Sequence, residues 1–425
     1  MRDGGRIAAA IEVLDEVESR RRPVRLALKA WGEASRFAGA KDRAFVSGLV
    51  LDALRRRRSL AWRMGEEGAR AATLGALAFD WRWPLERIAD ACAETPHGPG
   101  PLTEAEAAAL AAPRDLAEAP APVRGDYPDW LDASLERAFG EARAEEGAAL
   151  AERAPVDLRV NTLKTDPERA LKVLRPLNAQ PSGVLPTALR IPAPAASERS
   201  GAVETIPAFS KGWFEVQDLG SQIAAACAGE VARKQVLDLC AGGGGKTLAI
   251  AARMGSTGQI YAYDADARRL ADTVRRADRA GVRNLQVRSP VNPEPLNGLE
   301  GRMDVVYIDA PCTGTGSWRR HPDTKWRLTP DALARRLADQ DAVLDDGARF
   351  VKPGGRIVYV TCSVLPEEDE DRISAFLQRH DGFVVRAATA DPTLEAWLTP
   401  LGFLRLSPRS AATDGFFVAV LERTR

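Results

Sequence analysis

The sequence predicts a doubly wound α/β domain, preceded by a small α+β region and an all-α N-terminal domain. Three observations predict it. Helical periodicity without strand-like alternation fills the chain before Pro155. VDLRVNTLK, from Val156, then alternates like a strand, and Pro167 to Leu174 reads as a helix. From Val236 onward short apolar strands alternate with helical stretches, the pattern of a parallel sheet with helices on both faces.

In chain order, Ile7, Ile11, Leu14 and Val17 recur at helical spacing, as do Val46, Val50 and Leu54, which run into Arg55, Arg56, Arg57 and Arg58. That arginine run suits either a helix C-terminus, where the macrodipole favours cations, or a phosphate contact. Ala111 to Gly125 is rich in Pro and Ala and reads as a linker, and Asp126 to Ala151 reads as helical. Residues 181–201, rich in Pro and Ser, read as a loop or irregular strands. QVLDLC, QIYAYDAD, NLQVRS, MDVVYIDAP and GGRIVYVTCS read as successive strands. The expected domains are 1–125 (all-α), 126–215 (connecting α+β) and 216–425 (α/β).

Composition narrows the function classes. Lys plus Arg and Asp plus Glu are 59 each, so bulk charge does not hold this chain on nucleic acid, although a local basic surface is open to it. Residues 1–70 carry 16 basic against 10 acidic side chains, and 71–155 carry 7 against 16. Of the 59 cations 50 are Arg, which fits a GC-rich genome and also suits bidentate phosphate contacts. The five cysteines, Cys92, Cys227, Cys240, Cys312 and Cys362, are too scattered for a disulfide framework, and with three histidines and no CxxC a metal site is not expected. The charged N-terminus is unlike a signal peptide, and no run of eighteen apolar residues occurs, so a cytoplasmic, membrane-free protein is expected.

Two regions carry chemistry. VLDLCAGGGGKTLAI is a strand, a glycine-rich turn and a helix, a geometry that brings backbone amides to a ligand. A P-loop is excluded because Cys240 stands where its first glycine belongs, and the dinucleotide fingerprint fails at Thr247. Asp264 ends the next strand, where an acid commonly binds ribose hydroxyls. Asp238, Asp264 and the Gly242–Gly245 turn therefore suit a nucleoside cofactor without a pyrophosphate, such as S-adenosylmethionine. In the second region, Asp309 and Cys312 end one strand and Cys362 ends the next, so two thiols stand over the same cleft. Carbon 5 of a pyrimidine is a poor nucleophile until a thiolate adds to carbon 6. A nearby cation lowers a thiol's pKa, and Lys246 is the candidate, while Asp309 is placed to hydrogen-bond the base edge.

VLDLCAGGGGKT, IDAPCTGTG, RRHPDTKW and VTCSVLPEE resemble the motifs of the RNA cytosine-5 methyltransferases, specifically the bacterial RsmB (Sun/Fmu) type. LRVNTLKT, FSKGWFEVQDLGSQIAA and TDGFFVAVLER resemble further blocks of that family, from about Tyr127 to the C-terminus. The first 120 residues resemble its NusB-like RNA-binding domain. The resemblance implies a Rossmann-like S-adenosylmethionine-dependent methyltransferase domain acting on RNA, with 16S rRNA as substrate, and a connecting region that contributes to RNA binding. It implies that Cys362 attacks carbon 6, that Cys312 assists product release, and that Lys246 with Asp309 helps deprotonate Cys362. Cys240, Ala241, Gly242, Gly243, Gly244, Gly245, Lys246, Asp264 and Asp309 would bind the cofactor or orient the base. Two departures stand out. Gly242 and Gly243 replace the family's Ala-Pro, and the third strand ends in VRSPVNPEP, without the Asp expected near the adenine. Either Ser289 or Asn292 is expected to substitute for it as a hydrogen-bonding group, or affinity for the cofactor is reduced.

Arg319, Arg320, Lys325 and Arg327 interleave with Trp318 and Trp326, which suits phosphate contact and base stacking, with Arg319, Arg320, Lys325 and Trp326 as the candidate RNA-binding set. A packed loop with surface charges is the competing reading. Trp130, Trp213, Cys92 and Cys227 read as core residues, and His321 as structural. Two rival functions remain on the sequence: an amino-group methyltransferase, which needs no thiol, and a non-catalytic RNA-binding assembly factor that retains the fold.

Overall fold

The computed structural model describes residues 1–194 and 203–425. By internal contacts the chain forms two compact units, one containing Met1–Ala154 and Trp318–Leu328, the other Pro155–Pro192, residues 203–317 and Thr329–Arg425. The helices of 126–154, assigned by sequence to the connecting region, thus belong to the first unit.

The first unit is helical. Its core is built on the helices Asp3–Ser19, Ala40–Arg55 and Ala69–Gly75, through the predicted stripes Ile7, Leu14 and Val17, and Val46, Val50 and Leu54. Each such side chain, fully buried, contributes about 1.5–3 kcal/mol of transfer free energy. The expected linker at 111–125 is more structured than its composition suggests. It holds a turn of helix at Leu116–Glu118 and another at Ala121–Arg124, with Pro122 and Val123 buried. Trp130, read as core, is 37 % exposed, whereas Cys92 and Cys227 are buried as expected.

The second unit contains two sheets. β1 (Val156–Val160), β2 (Gln180–Pro181), β3 (Ala188–Ile191) and β4 (Phe214–Val216) pair antiparallel in the order β2-β3-β1-β4. The predicted helix Pro167–Leu174 is present, capped by the Asp166 side chain on the amide of Arg169. Part of the loop expected at 181–201 lies outside the described residues.

The larger sheet contains β5 (Gln235–Asp238), β6 (Gln259–Tyr263), β7 (Leu285–Arg288), β8 (Met303–Asp309), β9 (Val351–Thr361), β10 (Phe383–Arg386), β11 (Leu404–Leu406) and β12 (Phe416–Arg423). Its order is β10-β12-β9-β8-β5-β6-β7, with β11 also on β12. β5 to β9 are parallel, but β10, β11 and β12 run antiparallel, so the sheet is mixed rather than wholly parallel. Successive residues alternate between two cores. Val236, Val305, Tyr307, Val358 and Val360 enter one, and Leu237, Val306, Ile308, Ile357 and Tyr359 enter the other. Burial on both faces is why these strands read as continuous apolar runs. Strand order reverses between β5 and β8, so a crevice opens at their carboxyl ends, where ligands bind in such sheets. Among the described residues no helix is long and apolar enough to cross a membrane, and no group of His, Cys, Asp and Glu could hold a metal ion.

Candidate active site

The glycine turn forms first from local geometry. Gly242 (φ +54°) and Gly244 (φ +80°) occupy the left-handed region that glycine enters without strain. A Cβ on Gly244 would stand 2.8 Å from the Thr273 side chain, so position 244 is closed to anything larger. The turn is held from the helix Ala267–Ala280. There Thr273 Oγ1 donates to the Gly242 carbonyl at 2.9 Å and Arg276 to that of Gly243 at 2.5 Å. With both carbonyls taken on that side, the turn keeps its shape without the rigidity of the missing proline.

Two carboxylates flank the turn. Asp264, just after β6, accepts the Gly242 amide at 2.8 Å and the Asp266 amide at 2.8 Å. Asp238 lies beneath the turn, where Thr247 Oγ1 donates to its Oδ2 at 2.6 Å and its buried Oδ1 has no partner among the described residues. Burial pushes Asp238 up to about 7. The Cys240 thiol is also pushed well up by burial, so it is no candidate nucleophile.

From the next residues of the helix Gly245–Arg253, Lys246 reaches across to β8 and donates to Asp309 Oδ2 at 2.7 Å. Burial alone would lower its pKa, but the Asp309 carboxylate outweighs burial and raises it, keeping the ammonium charged. Cys362 lies within its electrostatic reach, and the Phe416 ring stands 5.2 Å from Nζ.

The two thiols meet as the strand order dictates. β8 and β9 are parallel neighbours with Asp309 beside Val360, so the residues following each strand emerge at one edge. Cys312 Sγ and Cys362 Sγ are 3.4 Å apart. The hydrogen bond to Cys362, together with burial, pushes the Cys312 thiol well above its ordinary value, so Cys312 keeps its proton. Glu368 holds this turn. Its fully buried carboxylate accepts from the Thr313 amide at 2.8 Å and from Gln340 Nε2 at 3.0 Å, and the same nitrogen donates to the Pro311 carbonyl at 2.9 Å. On the other side the Gly316 amide donates to the Cys362 carbonyl at 3.0 Å and the Gly415 amide to the Gly316 carbonyl at 2.8 Å. Sequence reasoning missed Glu368, Thr313 and Gln340. The only signal was the PEE that follows TCSVL.

Five of these residues, Cys240, Asp264, Asp309, Cys312 and Cys362, line one cleft of about 1090 Å³. Its upper wall beyond β7 is formed by Glu294, Pro295, Leu296, Asn297 and Glu300. Neither Ser289 nor Asn292 lines it, and the Ser289 hydroxyl accepts the Val291 amide at 3.3 Å. The expected substitutes at the third strand are thus not on this cleft wall, and the Ser289 hydroxyl also holds its own loop. The remaining donor set fits S-adenosylmethionine. A glycine turn closed to a side chain at Gly244 stands beside a carboxylate suited to ribose hydroxyls, and the buried Asp238 Oδ1 beneath it has no partner among the described residues.

The candidate RNA-binding residues lie elsewhere, in the helical unit. Lys325 is fully buried and donates to the Arg55 carbonyl at 2.9 Å, and the Trp326 indole donates to the Leu54 carbonyl at 2.6 Å. Both side chains cap carbonyls that the end of the helix Ala40–Arg55 leaves without intrahelical partners. Arg319 is buried, and its carbonyl accepts from Arg55. Arg320 is partly buried. The packed-loop reading holds for this segment, and burial removes Arg319 and Lys325 from contact with phosphate. The arginine run is likewise spent within the unit, pairing Arg55 with Asp52, Arg56 with Asp80, Arg57 with Glu18 and Arg58 with Asp129.

Comparison with known proteins agrees with this site. The family model of the RsmB/F 16S rRNA methyltransferases matches residues 229–422, and that of the RsmF/B-like ferredoxin-like domain matches 127–198. The probable ribosomal RNA small subunit methyltransferase B of Synechocystis sp. is 34 % identical over 70 % of this chain and 67 % of that protein. The corresponding protein of Citrobacter koseri is 35 % identical over 69 % and 66 %. The matched region thus spans about two thirds of these relatives. Among solved structures, a methyltransferase homolog from Pyrococcus horikoshii matches 71 % of this chain and 97 % of its own at TM-score 0.59 and 27 % identity. The structure of PH0851 shares the fold over 100 % of this chain and 99 % of its own, at TM-score 0.72 and 24 % identity. On these likenesses, and on the cleft that carries their motifs, the chain belongs to the RsmB/F family of S-adenosylmethionine-dependent 16S rRNA methyltransferases.

Proposed function

We propose that this chain methylates carbon 5 of a cytosine in small-subunit ribosomal RNA, in the cytoplasm, with Cys362 as the nucleophile. One observation carries the reading: two thiols 3.4 Å apart, beside a half-buried Lys246–Asp309 pair, at the carboxyl ends of adjacent strands. The Cys362 thiolate adds to carbon 6 and shifts the pyrimidine double-bond electrons toward carbon 5. The Lys246 ammonium stabilises that thiolate, and Asp309, anchored by Lys246, accepts a hydrogen bond from the base edge. S-adenosylmethionine, which Asp264 and the glycine turn beside it would hold, would supply the electrophilic methyl group. The carbon 5 proton must then pass to a base, which water in the open cleft supplies, so that its electron pair re-forms the 5,6 double bond and expels Cys362 as thiolate; Cys312, held against Cys362, assists that departure.

The target base has to be unpaired or extruded to reach the thiols, which favours a loop in the RNA. The expected RNA contacts at Arg319 and Lys325 are not part of this proposal, because both are buried. Bisulfite sequencing of 16S RNA from cells with and without the gene tests the reading, with one protected cytosine expected to disappear. An unchanged pattern refutes it. Cys362→Ala should abolish transfer while cofactor binding persists. An enzyme acting on an exocyclic amine would keep its activity in that variant.

A further inference from the structure

We propose that Glu368 is a positioning residue that divides the work between the two thiols, its carboxylate standing on the Cys312 side of the sulfur pair as the Lys246 ammonium stands on the Cys362 side. The proposal rests on the two-thiol reading above. Two sulfurs 3.4 Å apart at neighbouring strand ends are chemically the same, so their surroundings decide which of them keeps a proton. Cys362 lies within electrostatic reach of the Lys246 ammonium. The Cys312 thiol is held well up by its hydrogen bond to Cys362, then by burial, and further by the negative charges of Cys362, Glu368 and Asp309. Asp309 has its own cation, Lys246, at 2.7 Å. Glu368 has none, and its charge acts on Cys312 without an answer.

The bonds of Glu368 put it there. Its Oε1 accepts the amide of Thr313, the residue after Cys312, at 2.8 Å and Gln340 Nε2 at 3.0 Å, while Oε2 accepts the Thr313 hydroxyl. An amide and a glutamine nitrogen can only donate, so the shared oxygen is an acceptor. Every donor is neutral, and no ion pair reaches Glu368 among the described residues. The residue is fully buried. Burying a carboxylate without a cation is costly, and a glutamine could tie the same turn without that cost. The charge is therefore what the site retains. Tyr359 of β9 is the remaining titratable group facing Cys312, and its hydroxyl is used on the Glu368 carbonyl at 2.7 Å. With its proton kept, Cys312 can donate a hydrogen bond to the Cys362 sulfur as that sulfur leaves carbon 6, and no proton changes hands between them.

The test is the pH dependence of alkylation by iodoacetamide, read by mass spectrometry on the peptide that bears Cys312, in the full chain carrying Cys362→Ala. That background removes the partner sulfur and keeps Glu368. The midpoint should still lie well above the ordinary thiol value of about 8.5. An ordinary midpoint overturns the proposal, and this arm needs no change at Glu368, so a Glu368 variant that fails to fold does not shelter it. Adding Glu368→Gln should lower the midpoint by about 1–3 and raise the rate at pH 8 by roughly tenfold or more. Glu368→Asp keeps the charge and Gln340→Ala removes only a neutral tie, so both should leave the midpoint high. A turn that is merely loosened would raise the plateau rate at high pH and leave the midpoint in place. That result in Glu368→Gln, or an equal fall of the midpoint in Glu368→Asp, overturns the proposal. The titration uses no RNA, so it can fail while the methyltransferase reading stands, and loss of transfer in Cys362→Ala tests that reading separately.

Discussion

Cys312 and Cys362 are the same side chain at neighbouring strand ends, and their surroundings give them different work. The two sulfurs are 3.4 Å apart, and that contact with burial pushes the Cys312 thiol well up, whereas Cys362 lies within electrostatic reach of the Lys246 ammonium. Cys312→Ala should therefore still add Cys362 to carbon 6 and still methylate, but elimination should stall. The variant should accumulate as a covalent protein–RNA adduct, seen as a slow band on a denaturing gel and lost in the double variant. If Cys312 only filled space, the substitution would cost about 1–3 kcal/mol or less of stability and trap no RNA. A second residue-scale prediction lies far from the cleft. Asp80 is buried beside Arg56, and burial pushes it up to about 6 from an ordinary 3.8. The folded state thus holds the Asp80 proton more tightly than the unfolded chain does. Stability from this group is fully present below about 4 and is lost as pH rises through 6. Asp80→Asn should raise stability at pH 7.5 by about 1–3 kcal/mol and change little at pH 4, as measured by denaturant titration. Equal effects at both pH values would rule out this account.

Among the elements, parallel strands carry most of what could be read in advance. Once β5, β6, β8 and β9 are recognised as parallel, Asp264, Asp309, Cys312 and Cys362 must emerge at one edge, so the cleft was legible from strand ends alone. The connections were not. Glu368 holds Thr313 from 55 residues away, and no local pattern announces a pairing of that separation. β10, β11 and β12 are not among the strands read from the sequence, and their direction depends on pairing and not on composition. The segment Trp318–Leu328 misled in an instructive way. Interleaved cations and aromatics suit RNA, but they also suit the capping of a helix C-terminus. The two readings differ in salt response. Lys325→Met should shift thermal stability and leave the slope of log affinity against log salt unchanged, whereas loss of a phosphate contact lowers that slope by about 1.

At the scale of the whole molecule, the neutral net charge conceals a basic stretch followed by an acidic one, and the helical unit joins them. Arg56 meets Asp80, Arg58 meets Asp129 and Arg70 meets Glu106, each pairing a cation from the first 70 residues with an acid from the next stretch. Asp126 accepts the amides of Arg58 and Ser59 at the start of the helix Arg57–Met64, and Lys325 counters its charge. That last partner comes late in the sequence, and synthesis runs in sequence order. At ~5–20 residues per second, a ribosome needs roughly 10–30 s to travel from Ala154 to Trp318. Throughout that interval the nascent helical unit lacks Lys325 and Trp326, so the Leu54 and Arg55 carbonyls must be satisfied by water. The N-terminal unit of this protein is therefore made first and finished late, its last piece arriving only after the strand that leads to Cys312 has left the ribosome.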